Sequence, residues 1–77
     1  MKKKTHVIAK FGNRVKELRQ KMRLSQEEFA ERCDLDRTYI SSIERGKRNV
    51  SLVNIEVIAV ALKMTVSELT QGITETE

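Results

Sequence analysis

The sequence predicts an all-α protein, a compact five-helix bundle that forms one domain. Proline is absent and aromatic residues make up only 4% of the chain, a composition that disfavours a sheet protein. Apolar residues recur at the three- and four-residue spacing of amphipathic helices. Helix-capping residues stand before these segments, so most of the predicted helices have a defined start. A chain of 77 residues can bury one small core and no second one.

The first helix is predicted to run from Val7 to Met22, where the apolar residues fall on one face. The domain is expected to cover residues 7–70. Before it, the lysine-rich residues 1–6 are expected to form a flexible basic arm. After it, residues 71–77 lack apolar periodicity and are expected to form an acidic tail that frays.

Two short helices joined by a tight turn are predicted next. Ser25 and Glu28 have the spacing of a capping box that opens the second helix. Asp34 occupies the turn, where a residue with positive φ is usual and Asp tolerates that conformation better than most residues. Asp36 is a good N-cap for the third helix, and Gly46 closes that helix as a C′ glycine.

The last two helices also begin at capping residues. Ser51 is the predicted cap of a fourth helix that runs to about Lys63. Thr65 and Glu68 form a second capping box, which starts a short fifth helix through about Thr70.

The charge of +4 is unevenly distributed along the chain. Residues 1–23 hold nine Lys or Arg against one acid, and residues 37–48 hold four against one. Residues 64–77 hold three Glu and no cation. A basic front and an acidic tail suit a surface that binds a polyanion, with an ordinary solvated surface as the alternative.

Several classes of function are disfavoured by what the sequence lacks. Cys33 is the one cysteine, so no intrachain disulfide can form, and we expect it to fill a small apolar space. His6 is the one histidine, whereas a zinc site needs about four ligands, so neither a metal nor a cofactor is expected. No paired carboxylates or nucleophile–histidine set can be assembled, which argues against an enzyme. No apolar run approaches the roughly 20 residues of a membrane span, and a cytoplasmic protein is expected.

The pattern of the two middle helices resembles the Cro/C1-type (XRE) helix-turn-helix family of phage repressors. The resemblance rests on the spacing of Gln26, Ala30, Leu35, Ile40, Ile43, Glu44 and Gly46. Within that family, the run DRTYISSIERGKRNVS, residues 36–51, is similar to the controller proteins of restriction–modification systems. One departure is Asp34 in place of the usual turn glycine.

The resemblance implies a lambda-repressor-like fold with its helix-turn-helix at about residues 25–45. It also implies a transcriptional regulator that binds a two-fold operator in double-stranded DNA as a homodimer, with the third helix in the major groove. RNA polymerase is a further partner to be considered, and the nucleoid is the expected location. An autoregulatory antitoxin and a phage or plasmid repressor are the alternatives.

Four residues of the third helix are expected to contact bases. Arg37 lies near the start of that helix, and a bidentate arginine–guanine pair is the commonest specific contact. Thr38 offers a methyl and a hydroxyl group, while Ser41 and Ser42 are short enough to let the helix sit close to the DNA. For each, an ordinary polar surface residue is the alternative.

Five further residues are expected to contact phosphates: Gln26, Tyr39, Lys47, Arg48 and Asn49. Gln26 lies in the first turn of the second helix, where backbone N–H groups favour an anion and the family commonly has a glutamine with this role. Tyr39 either points its hydroxyl at a phosphate or caps the edge of the core.

Two further sets have an expected structural role. Glu44 lies within a basic run, and the family pattern pairs it with Arg19 in a partly buried ion pair. The fourth helix carries a core stripe that begins at Leu52 and a second stripe of valines. The second stripe is expected to form a two-fold dimer interface, with packing against the fifth helix as the alternative; its members are Val53, Val57 and Val60.

Overall fold

The computed structural model describes residues 2–74, with side chains from His6 onward. Within this part of the chain all the regular secondary structure is α-helical, and the predicted all-α class is confirmed. The five helices are α1 (Lys2–Lys21), α2 (Gln26–Cys33), α3 (Arg37–Glu44), α4 (Leu52–Ala61) and α5 (Val66–Leu69). α3 packs against both α1 and α2, while α4 packs against α2 and α5.

The predicted capping residues all act as N-caps. In the first capping box, the Glu28 N–H donates to Ser25 Oγ at 3.0 Å and the Ser25 N–H donates to Glu28 Oε1 at 2.8 Å. Hydrogen bonding of the Glu28 carboxylate to the backbone N–H and the side chain of Ser25 lowers the pKa of Glu28, because it favours the charged form. Thr65 and Glu68 repeat the arrangement at the start of α5, with bonds of 2.9 and 3.0 Å. Asp36 accepts the Thr38 N–H at 2.7 Å and so fixes the first turn of α3.

The turns on either side of α3 have the predicted left-handed conformation. Asp34 has φ 56° and joins α2 to α3, so the departure from glycine leaves the turn intact. Gly46 has φ 73° and ends α3, and its N–H donates to the Ile43 carbonyl at 2.9 Å. A Cβ at Gly46 would lie 3.1 Å from Ala9 Cα, so the absence of a side chain also lets this turn approach α1.

The core lies between α1, α2, α3 and α4, and Leu69 of α5 closes one end of it. Its largest fully buried side chains are Phe29, Ile40, Ile43, Ile58, Leu69 and Val15. Cys33 is buried among them, as expected, and burial raises the pKa of its thiol to about 11.

The boundaries of the fold differ from the prediction at both ends. α1 begins at Lys2, five residues before the expected start, so the backbone of residues 2–6 continues the helix instead of forming an arm outside it. At the other end, Ile73 is partly buried against the core, so this part of the expected frayed tail belongs to the fold. The rest of that tail, residues 75–77, lies outside the described residues.

The last two helices are slightly shorter than predicted. α4 ends at Ala61, where Lys63 was expected, and α5 ends at Leu69, where Thr70 was expected. Leu52 is a larger departure, because its side chain is 74% exposed and does not contribute to the core.

Candidate nucleic-acid interface

The carboxyl-terminal part of α3 is held close to α1. Gly12 of α1 faces this end of α3, and a Cβ built on it would lie only 2.2 Å from the Ile43 carbonyl oxygen and 3.1 Å from that of Glu44. Such a short distance leaves no room for any side chain. Gly12 therefore sets how closely α3 can approach α1.

The structure brings Arg19 of α1 and Glu44 of α3 together in a buried ion pair. Arg19 Nε donates to Glu44 Oε2 at 2.7 Å, and Arg19 Nη2 donates to Oε1 at 2.9 Å. The remaining guanidinium nitrogen, Nη1, donates to the Leu24 carbonyl at 2.7 Å. The pair therefore links the end of α3 to α1 and to the loop before α2.

Gln26 joins the same network. It is the first residue of α2, and its Nε2 donates to Glu44 Oε1 at 3.0 Å. The side-chain amide is thus oriented by the ion pair at the amino end of α2, where backbone N–H groups lack helical partners. Glu44 points into the domain, away from the basic residues that follow it.

The first turn of α3 presents two of the four predicted base-contacting residues to solvent. Arg37 and Thr38 are exposed, and Ser41, one turn later, is partly buried. The main-chain carbonyl of Ser41 accepts a long hydrogen bond, 3.4 Å, from Arg45 Nε. These three side chains lie on a continuous stretch of the helix surface.

Ser42 does not fit the predicted base contact. Its side chain is buried, and its hydroxyl donates to the Tyr39 carbonyl at 2.8 Å while accepting from Arg48 Nε at 3.2 Å. Both partners lie within the protein, so the hydroxyl hydrogen and one lone pair are already engaged. Ser42 instead holds Arg48 against the carboxyl-terminal half of α3.

Tyr39 connects α3 to α4. Its hydroxyl accepts a hydrogen bond from Asn54 Nδ2 at 3.1 Å, and the Arg48 guanidinium lies 5.4 Å from the centre of its ring. The ring packs against the edge of the core, which is one of the two expected placements. Lys47 and Asn49, on either side of Arg48, are exposed in the loop that follows α3.

The exposed face of α4 is apolar over most of its length. Leu52 is 74% exposed, Val53 70% and Val60 69%. Glu56 lies between the valines on the same face, and Val57 is partly buried at its edge, packed against the core. Of the three valines in the predicted stripe, Val53 and Val60 are therefore exposed and Val57 is partly buried, while Leu52 is exposed beside them.

Two other features, a metal-binding cluster and a membrane-spanning helix, are not found among residues 2–74. The part of the chain that the structure describes has no group of three or more His, Cys, Asp or Glu side chains that could hold a metal ion. No helix within it is long and apolar enough to cross a membrane.

Comparison with known protein families shows which family this domain belongs to. A family model described as helix-turn-helix matches residues 15–69, which include α2, α3 and the turn between them. The chain belongs to the helix-turn-helix family. The predicted resemblance to the XRE type is thereby confirmed, and so is the assignment as a DNA-binding transcriptional regulator.

Within the helix-turn-helix family, this chain groups with restriction–modification controller proteins. Control protein C.MunI of Mycoplasma sp is 64% identical over 61 residues, which cover 78% of this chain and 82% of that protein. The solved structure of the controller C.AhdI from Aeromonas hydrophila is 52% identical, with a TM-score of 0.78 over 80% of this chain and 94% of that one. The C.Esp1396I tetramer, solved in complex with its natural 35-base-pair operator, is 31% identical, with a TM-score of 0.79 over 87% and 88% of the two chains.

Some residues of this helix-turn-helix domain could not be found from the sequence. Asn54 gives no signal, because its partner Tyr39 is 15 residues away. Arg14 of α1 donates to the carbonyls of Leu69 at 3.0 Å and Glu68 at 2.7 Å, and so caps the carboxyl end of α5. A glycine inside a helix, as at position 12, is only a weak signal of close packing.

Proposed function

We propose that the protein binds a two-fold operator as a homodimer and controls the genes of a restriction–modification system. One observation carries the proposal. The amino end of α3 presents Arg37 and Thr38 to solvent, while a buried ion pair locks the other end of the same helix to α1. A rigidly held helix with exposed polar side chains suits the major groove, and the similarity to controller proteins supplies the biological context.

The base contacts in this proposal come from three residues. Arg37 pairs with guanine through two hydrogen bonds, which discriminates by about 1–3 kcal/mol against a wrong base. Thr38 contacts a thymine methyl or a base edge, and Ser41 lets the helix lie close to the groove floor. Ser42 is reassigned from base contact to positioning, because its hydroxyl is already engaged.

The phosphate contacts flank α3 on both sides. Gln26 and the backbone N–H groups at the start of α2 bind one phosphate, because both donate hydrogen bonds at a positive helix end. Lys47, Arg48 and Asn49 bind phosphates beyond the other end of α3, and Tyr39 binds a phosphate from within the helix. These contacts fix the register of the helix and supply the salt-dependent part of the affinity.

The proposed role also implies a location in the cell and a further partner. A regulator of this kind works in the cytoplasm on nucleoid DNA, and RNA polymerase is its further partner wherever binding activates transcription. The alternatives, an antitoxin and a phage or plasmid repressor, share the DNA-binding surface. The genes whose expression changes when the protein is supplied in trans separate them: a methyltransferase and endonuclease support the controller role.

Selection from a pool of randomised duplexes tests the proposal. We expect enrichment of a two-fold sequence with half-sites about one helical turn apart. The Arg37→Ala variant should lose preference at one base pair in each half-site. Arg32→Ala removes the same charge from the exposed end of α2 and should retain the full preference. Uniform weakening by Arg37→Ala, with all preferences intact, would make Arg37 a phosphate contact; a selection without any two-fold motif would refute the proposal.

A further inference from the structure

Tyr39 is a predicted phosphate contact whose side-chain hydroxyl is hydrogen-bonded to another helix. Asn54 Nδ2 of α4 donates to the phenolic oxygen at 3.1 Å. This bond crosses from α3 to α4 at the edge of the core, where both side chains are partly buried. The position of the hydroxyl is therefore set by α4 as well as by its own helix.

Two further contacts restrain Tyr39, one at the face of its ring and one at its main-chain carbonyl. The Arg48 guanidinium lies over the ring at 5.4 Å from its centre, a favourable cation–π distance. Arg48 is itself tied to Ser42 Oγ, which in turn donates to the Tyr39 carbonyl. With these restraints on the ring and one on the hydroxyl, the phenol has little freedom to rotate.

The direction of the Asn54 hydrogen bond leaves the phenolic hydrogen available. A tyrosine hydroxyl has one hydrogen to donate and can accept from another group at the same time. Here the oxygen accepts from Asn54, and no described residue accepts the phenolic hydrogen. A phosphate oxygen is an acceptor only, so it suits a hydroxyl held in this state.

We propose that Asn54 is a positioning residue for DNA binding, which acts by orienting the Tyr39 hydroxyl toward a backbone phosphate. The inference rests on the proposed phosphate contact of Tyr39 and adds the residue that prepares it. Asn54 follows Val53 of the exposed apolar stripe. One helix, α4, thus carries a dimer face on one side and supports a DNA contact on another.

A double-mutant cycle measured as operator affinity separates this role from a direct contact. Tyr39→Phe should weaken binding about tenfold per half-site, since one hydrogen bond to a charged group is lost. Asn54→Ala should weaken binding by a smaller factor in the wild type and have no effect in the Tyr39→Phe background. Asn13→Ala, at an exposed asparagine of α1, serves as the matched control and should bind normally.

Methylphosphonate linkages, which remove the charge of one phosphate at a time, provide the second measurement. At one phosphate per half-site, methylphosphonate substitution should not change the operator affinity of Tyr39→Phe. At that same phosphate, the affinity of Asn54→Ala should be less sensitive to the substitution than the affinity of the wild type. A general effect on folding would not select one phosphate. If Asn54→Ala weakens binding equally in both backgrounds, Asn54 acts directly or through the fold and the proposal is wrong. If Tyr39→Phe binds normally while Arg37→Ala still loses its preference, the Tyr39 contact and this proposal both fail but the operator-binding function stands.

Discussion

Glu44 illustrates how a single residue can be assigned from the charge of its neighbours. An acid among DNA-facing cations is unfavourable unless it points inward, and the structure places it against Arg19 with both side chains almost fully buried. A buried pair of this kind matters most when one partner is lost, because the other charge then stays in the interior without compensation.

We expect Arg19→Met to destabilise the fold by about 3–5 kcal/mol, because it leaves Glu44 buried and without its counterion. Methionine keeps most of the side-chain volume, so the loss reports the charge more than a cavity. The Arg19→Met, Glu44→Met double variant should lose much less than the two single variants together. Urea unfolding measures all three, with Arg32→Met as an exposed control. Additive losses would show that the two charges do not interact.

The individual site residues were predictable only in part. Arg37 and Thr38 are exposed where the spacing placed them, because the first turn of a capped helix is fixed locally. Ser42 was expected to contact a base, whereas its side chain is buried and its hydroxyl is bonded to Arg48, which folds back from the following loop. A contact of that kind arises from the three-dimensional path of the loop and leaves no mark in the spacing of α3.

Among the elements, the helix starts with local chemistry were predicted correctly. Ser25, Asp36, Ser51 and Thr65 each cap the helix expected of them, because a cap requires only residues within one turn. The start of α1 was missed, since the lysines before Val7 carry no cap signal and are themselves good helix formers. Apolar periodicity marks where a helix is buried and does not show how far an exposed turn extends.

The close approach of α1 and α3 gives a prediction for Gly12. Alanine is the better helix former by about 1 kcal/mol, yet its Cβ would meet the Ile43 carbonyl at a distance that no real contact has. The two helices must then move apart, and we expect Gly12→Ala to cost about 1–3 kcal/mol in the free energy of unfolding.

Asn13→Ala is the matched control for this substitution, because the neighbouring side chain is exposed on the same helix. It should be neutral or slightly stabilising. Urea unfolding of both variants checks the prediction. A Gly12→Ala protein as stable as the wild type would mean that α1 and α3 can separate without loss of packing.

At the scale of the whole molecule, α4 was the helix whose orientation the sequence could not decide. Apolar residues occur on nearly every side of it, so periodicity alone offers several possible inward faces. The structure buries Ile58 and Ala59 and leaves Leu52, Val53 and Val60 exposed. A helix that is apolar all round is normally covered on all sides. We propose that a second copy of the chain supplies the missing cover.

The last prediction is that this face joins two chains and that operator binding depends on the pair. One α3 meets only a few base pairs, whereas a two-fold dimer places two such helices about one turn of DNA apart. We expect Val53→Asp to give folded monomers with much weaker operator affinity, because two carboxylates would face each other near the two-fold axis. Val53 is 70% exposed in the single chain, so the fold itself should be unaffected.

Asn13→Asp adds the same charge at an exposed site on α1 and should remain dimeric. Sedimentation equilibrium and circular dichroism measure assembly and folding separately. A wild type that sediments as a monomer at tens of micromolar, or a Val53→Asp dimer that binds DNA normally, would contradict the assignment of this face.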